Sequence, residues 1–131
     1  MASTNPRPLS PHLTIWRWGP HMAVSILHRI SGVGLTLVGL AVLAWWLAAI
    51  SGGAEPYARF TELATSPVGL VVLVGLTWAF YQHLLSGLRH LVMDSGAGFE
   101  LSTNKTMAIL TIIGSIVLTV LTWAAFTGVF E

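Results

Sequence analysis

The stretch from Tyr81 to Asp94 reads YQHLLSGLRHLVMD and ends a long apolar run that begins at Pro67. His83 and His90 lie seven positions apart in it. Seven positions are about two turns of an α-helix, so both histidines are expected on one face, roughly 10 Å apart along the axis. Gly87, one turn from His83, predicts a shallow surface that a planar ligand can approach. Ionisable side chains in an apolar helix are costly, which indicates a functional site.

The rest of the chain has the composition of a membrane protein. It contains 131 residues, of which 54% are hydrophobic and only 8% are charged, whereas about a quarter are charged in a soluble domain. No charged residue occurs in three windows, 30–54, 63–88 and 106–130. Each window is longer than the roughly 20 residues that a helix needs to cross the hydrocarbon. The sequence therefore predicts an all-α integral membrane protein with three transmembrane helices.

The predicted helices span residues 22–50, 66–93 and 103–130, and they follow an N-terminal segment of residues 1–21 within one membrane-anchor domain of residues 1–131. Positive charges accumulate at one side of this arrangement, namely at Arg7, Arg17, Arg29, Arg89 and Lys105. The opposite connection has Arg59 beside two glutamates. Because cytoplasmic loops of membrane proteins are richer in lysine and arginine, we expect a cytoplasmic N-terminus and a periplasmic C-terminus.

The residue inventory also excludes several kinds of chemistry. The chain has no cysteine, so it has neither disulfides nor thiolate ligands for an iron–sulfur cluster. It offers no nucleophile–base pair, carboxylate cluster or phosphate-binding loop, and we expect no nucleic-acid partner. In helix three we expect no chemistry, and we interpret its hydroxyl residues as helix-packing or back-bonding groups. These hydroxyl residues are Thr111, Ser115, Thr119 and Thr122.

His83 is the most informative single residue. It lies six positions before Arg89, and therefore about 9 Å deeper in the membrane than the basic residues at the edge. A neutral imidazole at that depth can ligate haem iron or bridge two helices by a hydrogen bond, and the residue alone leaves both readings open. Since His83 is the one histidine well inside the hydrocarbon, a six-coordinate haem would need its other ligand from another subunit.

Ser25 and Arg29 form a second group at the entry of helix one. They lie four positions apart and so on the same side of a helix. A hydroxyl beside a guanidinium can bind a quinone carbonyl and stabilise negative charge on it. Arg29 and Arg89 can equally pair with haem propionates, or extend to the membrane interface and contact Asp94.

Antiparallel helices bring the start of helix one and the end of helix two to the same membrane face. His28 and His90 are weaker candidates there, since a histidine at a membrane edge can bond to headgroups or water. We expect the polar residues of both helix ends to share one layer, with His83 just beneath it, where a redox cofactor and an exchangeable electron acceptor can bind. These residues are Ser25, His28, Arg29, Arg89, His90 and Asp94.

Three motifs occur in order along the chain. They are RPLSPHLTIW from Arg7 to Trp16, SILHRISG from Ser25 to Gly32, and H-x-x-x-G-L-R-H-L-x-x-D from His83 to Asp94. With these motifs and its helix count and lengths, the chain closely resembles the cytochrome b membrane anchor of succinate dehydrogenase, respiratory complex II, in its alphaproteobacterial and mitochondrial branch.

The resemblance implies two ligands. His83 matches the ligand of a b-type haem, whose second axial ligand comes from the other anchor subunit. Ser25 and Arg29 match residues that line the ubiquinone pocket and act on the quinone. Trp18, Met22 and Ile26 match the apolar wall of that pocket. His28, Arg29 and His90 match positions near the haem propionates, and Asp94 matches an acid close to Arg29.

The resemblance also implies partners and a place in the cell. The partners are the flavoprotein that oxidises succinate, the iron–sulfur subunit, the second anchor subunit and membrane lipid, and the location is the bacterial inner membrane. The expected function is electron transfer to ubiquinone without contact with succinate. The alternatives are a fumarate reductase anchor that uses menaquinol and a haem-free structural anchor. One departure is Gln82, where many relatives have tyrosine before the histidine ligand, and it predicts altered surroundings for His83.

Overall fold

The computed structural model describes residues 17–128, and this part of the chain contains helices but no strand. Three helices are long and apolar enough to cross a membrane, namely the first span Pro20–Gly52, the second span Pro67–Asp94 and the third span Leu101–Phe126. A shorter helix, Ala54–Ala64, connects the first two spans. The predicted all-α fold with three membrane-spanning helices is confirmed. The motif of residues 7–16 and the predicted end of helix three at residues 129–130 lie outside the described residues.

Proline and glycine determine where the spans begin and end. The first span begins at Pro20, two residues before the predicted start, because proline fits the first turn of a helix, where its missing N–H is not needed. It ends at Gly52, and Gly53 then adopts a positive φ of 94° that turns the chain into the connecting helix. The second span begins at Pro67, where the hydroxyl of Ser66 accepts a hydrogen bond of 3.2 Å from the backbone N–H of Gly69.

The first span is not a uniform α-helix. A π-helical turn, Leu35–Gly39, separates α-helical segments Pro20–Gly34 and Leu40–Gly52. The sequence pattern did not predict it. Because π-helical turns alter the direction of side chains and often occur at functional sites, its position is relevant to the site described below.

The second span packs against both other spans, and more extensively against the third. Among the described residues, the buried side chains are mostly small or polar, whereas most large aliphatic side chains are exposed on the outside of the bundle. This distribution suits helices in lipid, where small residues permit close packing and polar groups bond across helices. The predicted role of the third-span hydroxyls is confirmed, since each donates to a carbonyl three or four residues earlier on its own helix. These hydroxyls belong to Thr111, Ser115, Thr119 and Thr122.

Candidate functional site

The imidazole of His83 projects from the second span onto the backbone of the first span. Its Nδ1 lies 3.1 Å from the carbonyl oxygen of His28. The Ser31 hydroxyl donates to the same carbonyl at 3.0 Å and lies 3.4 Å from Nδ1. Because a carbonyl only accepts hydrogen bonds, Nδ1 is the donor in this contact, and in a neutral ring Nε2 then carries the lone pair. This contact fixes the orientation of the His83 ring against the first span.

Gly32 makes this close approach possible. A Cβ atom at Gly32 would lie 2.9 Å from Cε1 of His83, which is closer than real Cβ contacts allow. By contrast, a Cβ atom at Gly87 would meet only the ring of His28, at 4.0 Å. The shallow surface expected at Gly87 therefore stays a prediction. The glycine that admits His83 lies on the facing helix, where sequence spacing on the second span could not identify it.

Three histidines cluster at this interface. The rings of His28 and His83 stack with centroids 4.0 Å apart and planes inclined by 13°, and the ring of His90 lies 5.2 Å from that of His28. The Nδ1 atom of His28 is buried and has no hydrogen-bond partner within residues 17–128. Over the same range, no group of three or more His, Cys, Asp or Glu side chains is arranged to hold a metal ion. The stacked rings of His28 and His83 lie face to face and do not converge on one ion.

A groove of about 470 Å³ lies beside the cluster, and we call it the histidine groove. Its size is within the range of ligand sites. The π-helical turn contributes two of its lining residues, and Arg29 is exposed at its wall without a hydrogen bond or ion pair to any described residue. The groove thus combines an imidazole, a cation and an apolar surface. It is lined by His28, Arg29, Gly32, Val33, Thr36, Leu37 and His83.

The predicted quinone residues lie along one side of the first span, next to the histidine groove. Ser25 and Arg29 are four residues apart in the α-helical segment, but only Arg29 lines the groove. Met22 and Ile26 lie on the same side by helical spacing, and Trp18 precedes the helix with 66% of its surface exposed. These residues form a partly exposed surface, so further walls are needed to enclose a ligand there.

The sequence comparisons identify the family of the chain. Residues 3–122 match the family model described as the succinate dehydrogenase/fumarate reductase transmembrane subunit. The chain belongs to this family. It is 39% identical over 120 residues to the succinate dehydrogenase cytochrome b556 subunit of Paracoccus denitrificans, covering 92% of each chain. It is 35% identical over 119 residues to the b556 subunit of Rickettsia conorii, covering 91% of this chain and 92% of the relative.

A mitochondrial relative extends the comparison. The succinate dehydrogenase cytochrome b560 subunit of Mus musculus is 37% identical over 101 residues, which cover 72% of this chain and 57% of the mouse protein. The resemblance noted in the sequence is confirmed, both in the family and in its bacterial and mitochondrial branches. The three apolar spans agree with the description of the family as a transmembrane subunit.

In this family member, Arg89 lies apart from the histidine cluster. Arg89 and His83 are six residues apart, which directs them about 120° apart around the helix. Arg89 is only 6% exposed, and its Nη2 donates a hydrogen bond of 2.7 Å to Oδ1 of Asn104 on the third span. The alternative that Arg89 contacts Asp94 was wrong, because Asp94 is exposed and Asn104 occupies the position of the partner. A contact of Arg89 with a haem propionate stays a prediction without a supporting contact.

A polar network that the sequence pattern did not reveal joins the second and third spans. The amide of Gln82 donates to Ser86 at 3.1 Å and accepts from Ser115 at 2.9 Å, and all three residues are completely buried. Gln82 therefore bonds toward the third span, and its expected effect on the surroundings of His83 stays a prediction. The spacing of Gln82 and Ser86, four residues apart in an apolar helix, was a visible signal for such a network.

Proposed function

We propose that this chain is the cytochrome b anchor of a succinate dehydrogenase, which binds haem b through His83 and ubiquinone beside Ser25 and Arg29. The observation that carries the proposal is the hydrogen bond from Nδ1 of His83 to the carbonyl of His28. It holds the imidazole in the tautomer whose Nε2 is free to bind iron, as second-sphere hydrogen bonds do at other metal sites. The name cytochrome b of the relatives supports the same cofactor.

The residues around His83 fit a haem. Val33 and Leu37 supply apolar surface for a porphyrin in the histidine groove, and Arg29 supplies a cation for a propionate. The unpartnered Nδ1 of His28 is a further polar group available at the edge of the site. His83 would be the haem ligand that the described residues supply, and the second axial ligand would come from the partner anchor subunit. A bound b-type haem would accept and release one electron at a time.

Ser25 and Arg29 would act on ubiquinone. The hydroxyl and the guanidinium would hold a carbonyl oxygen of the quinone and stabilise negative charge on it. Trp18, Met22 and Ile26 would form the apolar wall, and partner subunits would enclose the rest. Succinate gives two electrons and two protons at the flavoprotein as it becomes fumarate. The iron–sulfur subunit would carry the electrons to this site, where ubiquinone takes up two electrons and two protons from water and becomes ubiquinol.

The proposal includes an orientation and partners. The Arg29 end of the bundle would face the cytoplasm of a bacterium and dock the iron–sulfur and flavoprotein subunits, with the C-terminus in the periplasm. Exposed cations at this end, Arg17 and Lys105, support that orientation through the positive-inside rule. Most of the relatives described above are bacterial succinate dehydrogenase subunits, which favours succinate oxidation over fumarate reduction.

The haem assignment is tested by the dithionite-reduced minus oxidised visible spectrum of the purified complex. The wild type should show a b-type band that His83→Ala lacks. His90→Ala is the matched control, because it removes a histidine of the same cluster on the same helix face and should keep the band. If His83→Ala forms the complex and keeps the band, the assignment of the ligand is refuted.

The quinone assignment is tested with Arg29→Ala. Loss of a group that stabilises charge on the reacting oxygen should reduce ubiquinone reduction by about 10²-fold. Succinate oxidation by a soluble artificial dye should remain at the wild-type rate, because the flavoprotein is unchanged. A parallel loss of both activities would show that Arg29 supports assembly and not the quinone reaction.

A further inference from the structure

A second groove lies on the other side of the second span, against the third span. It has a volume of about 240 Å³, and we call it the arginine groove because Arg89 lies in its wall. The second-span residues that line it point about 180° away from His83 and His90 around the helix axis. The groove is therefore separate from the proposed haem and quinone sites. Its other lining is largely aliphatic, with Leu85, Leu88, Val92, Met107 and Leu110.

Arg89 lacks a counter-charge. Its Nη2 bonds to the neutral amide oxygen of Asn104, while Nε is buried without any partner in the described chain. No carboxylate within residues 17–128 forms an ion pair with it, and Asp94 is exposed on the side of the helix that faces away from the groove. A buried cation in a membrane helix is costly unless it is paired. The structure thus presents a guanidinium with an unused donor beside an apolar groove.

We propose that the arginine groove binds one anionic phospholipid, with a phosphodiester oxygen accepting from the guanidinium of Arg89 and an acyl chain along the aliphatic lining. Arginine is well suited to phosphate because its planar donors match the phosphate oxygens. Arg89 lies five residues before the end of the second span, or about 7.5 Å along the axis. This depth is close to the boundary between headgroups and acyl chains, where a lipid phosphate is available.

The walls of the groove favour lipid over a partner protein as the source of the anion. Leu88 and Leu110 are 50% and 61% exposed, so the groove opens through aliphatic side chains onto the outer surface of the bundle. A protein carboxylate would have to enter through this apolar surface, whereas a phospholipid brings its charge and its acyl chain together. The one cation in the wall of the arginine groove, Arg89, matches the single negative charge of a phosphatidylglycerol.

The proposal is tested by native mass spectrometry of the detergent-purified complex. The complex is titrated with dioleoylphosphatidylglycerol and, separately, with dioleoylphosphatidylcholine. The wild type should bind one phosphatidylglycerol about fivefold more tightly than phosphatidylcholine, the preference expected for one cation near a lipid headgroup. Arg89→Gln should lose this preference. Lys105→Gln is the matched control, since it removes an exposed cation next to Asn104 and should keep the preference.

A second variant tests the groove without changing its charge. Leu110→Trp fills the groove and leaves Arg89 intact, so it should also lose the tightly bound lipid, and it decides the question if Arg89→Gln does not assemble. The proposal is overturned if the wild type shows no preference, as expected if a partner carboxylate occupies the site. It is also overturned if Leu110→Trp keeps the lipid or if Lys105→Gln loses it equally. Because lipid binding is the readout, failure here leaves the haem and quinone proposals unaffected.

Discussion

The second span meets its two neighbours in different ways. Toward the third span, buried polar groups bond to one another, as Gln82, Ser86 and Ser115 do. Toward the first span, the stacked His28 and His83 retain unused hydrogen-bonding capacity beside an open groove. Because an unsatisfied polar group inside a membrane protein is costly, the unpartnered Nδ1 of His28 supports the proposal that a ligand binds at this interface.

This comparison separates two uses of polar residues in one helix. Hydrogen bonds between side chains join the spans at the bonded interface, and the histidine interface is where we propose that a ligand binds. Arg89 does not follow this division. It lies on the third-span side, yet its Nε is unpartnered within the described chain, and this is the reason for assigning a ligand to a surface that otherwise serves packing alone.

Among substitutions that compare the two interfaces, the largest effect is expected from Gly32→Ala at the histidine interface. The new methyl group would lie 2.9 Å from Cε1 and 3.2 Å from Nδ1 of His83, so the ring must move away from the carbonyl of His28. Loss of the contact that orients a metal ligand should reduce haem affinity by about tenfold or more. The measurement is the haem content per purified complex, determined as its pyridine derivative.

Gly34→Ala provides the control for this prediction. It lies in the same helix, but a Cβ atom there meets nothing within 4 Å, so its haem content should equal that of the wild type. Unchanged haem in Gly32→Ala would contradict the assignment of His83. Equal loss in both variants would indicate that the glycines serve packing of the first span and would remove the distinction between the two interfaces.

A smaller effect, on stability, is expected from Gln82→Leu at the bonded interface. Two side-chain hydrogen bonds are lost, although Ser115 keeps a bond of 2.8 Å to the carbonyl of Ile112. The free energy of unfolding in mixed micelles should therefore fall by about 1–2 kcal/mol. The haem spectrum should not change, because the bonds of Gln82 are directed to the third span.

Ser51→Ala is a suitable comparison for Gln82→Leu. Its hydroxyl is exposed and bonds at 3.0 Å to the carbonyl of Ala48 in its own helix, so its removal should leave stability nearly unchanged. A shift of the haem spectrum in Gln82→Leu, with stability preserved, would mean that Gln82 influences His83 after all. The two interfaces would then not be independent.

The sequence was sufficient for the fold because its signals are local. Charge-free windows predict three spans, and Pro20 and Pro67 agree with the helix starts through the same fixed φ angle. The spacing of His83 and His90 also predicted correctly that both lie near one interface. Each of these inferences needs only the periodicity of one helix.

The details of the site depended on contacts between helices. Gly32 and the partner of Arg89, Asn104, lie on other spans, and no spacing within the second span indicates them. The π-helical turn Leu35–Gly39 has the sequence LTLVG, which is equally compatible with an α-helix. Nothing in these five residues distinguishes a π-helical turn from an α-helical one, so the sequence pattern could not predict it.

The smallest expected effect comes from Tyr81→Phe, which tests how much one cross-helix hydrogen bond stabilises the bonded interface. The hydroxyl of Tyr81 lies 2.8 Å from Oγ1 of Thr122, which itself donates to the carbonyl of Leu118. Tyr81 is therefore the donor of the cross-helix bond, and its removal leaves Thr122 with its backbone partner. The free energy of unfolding should fall by about 0.6 kcal/mol, the average for such bonds in a membrane.

Tyr57→Phe, on the exposed connecting helix, is the control and should lower the free energy of unfolding by less than that. A loss several times larger in Tyr81→Phe would show that few hydrogen bonds carry this interface. In that case its polar groups would be as critical to the fold as the histidines are to the proposed site.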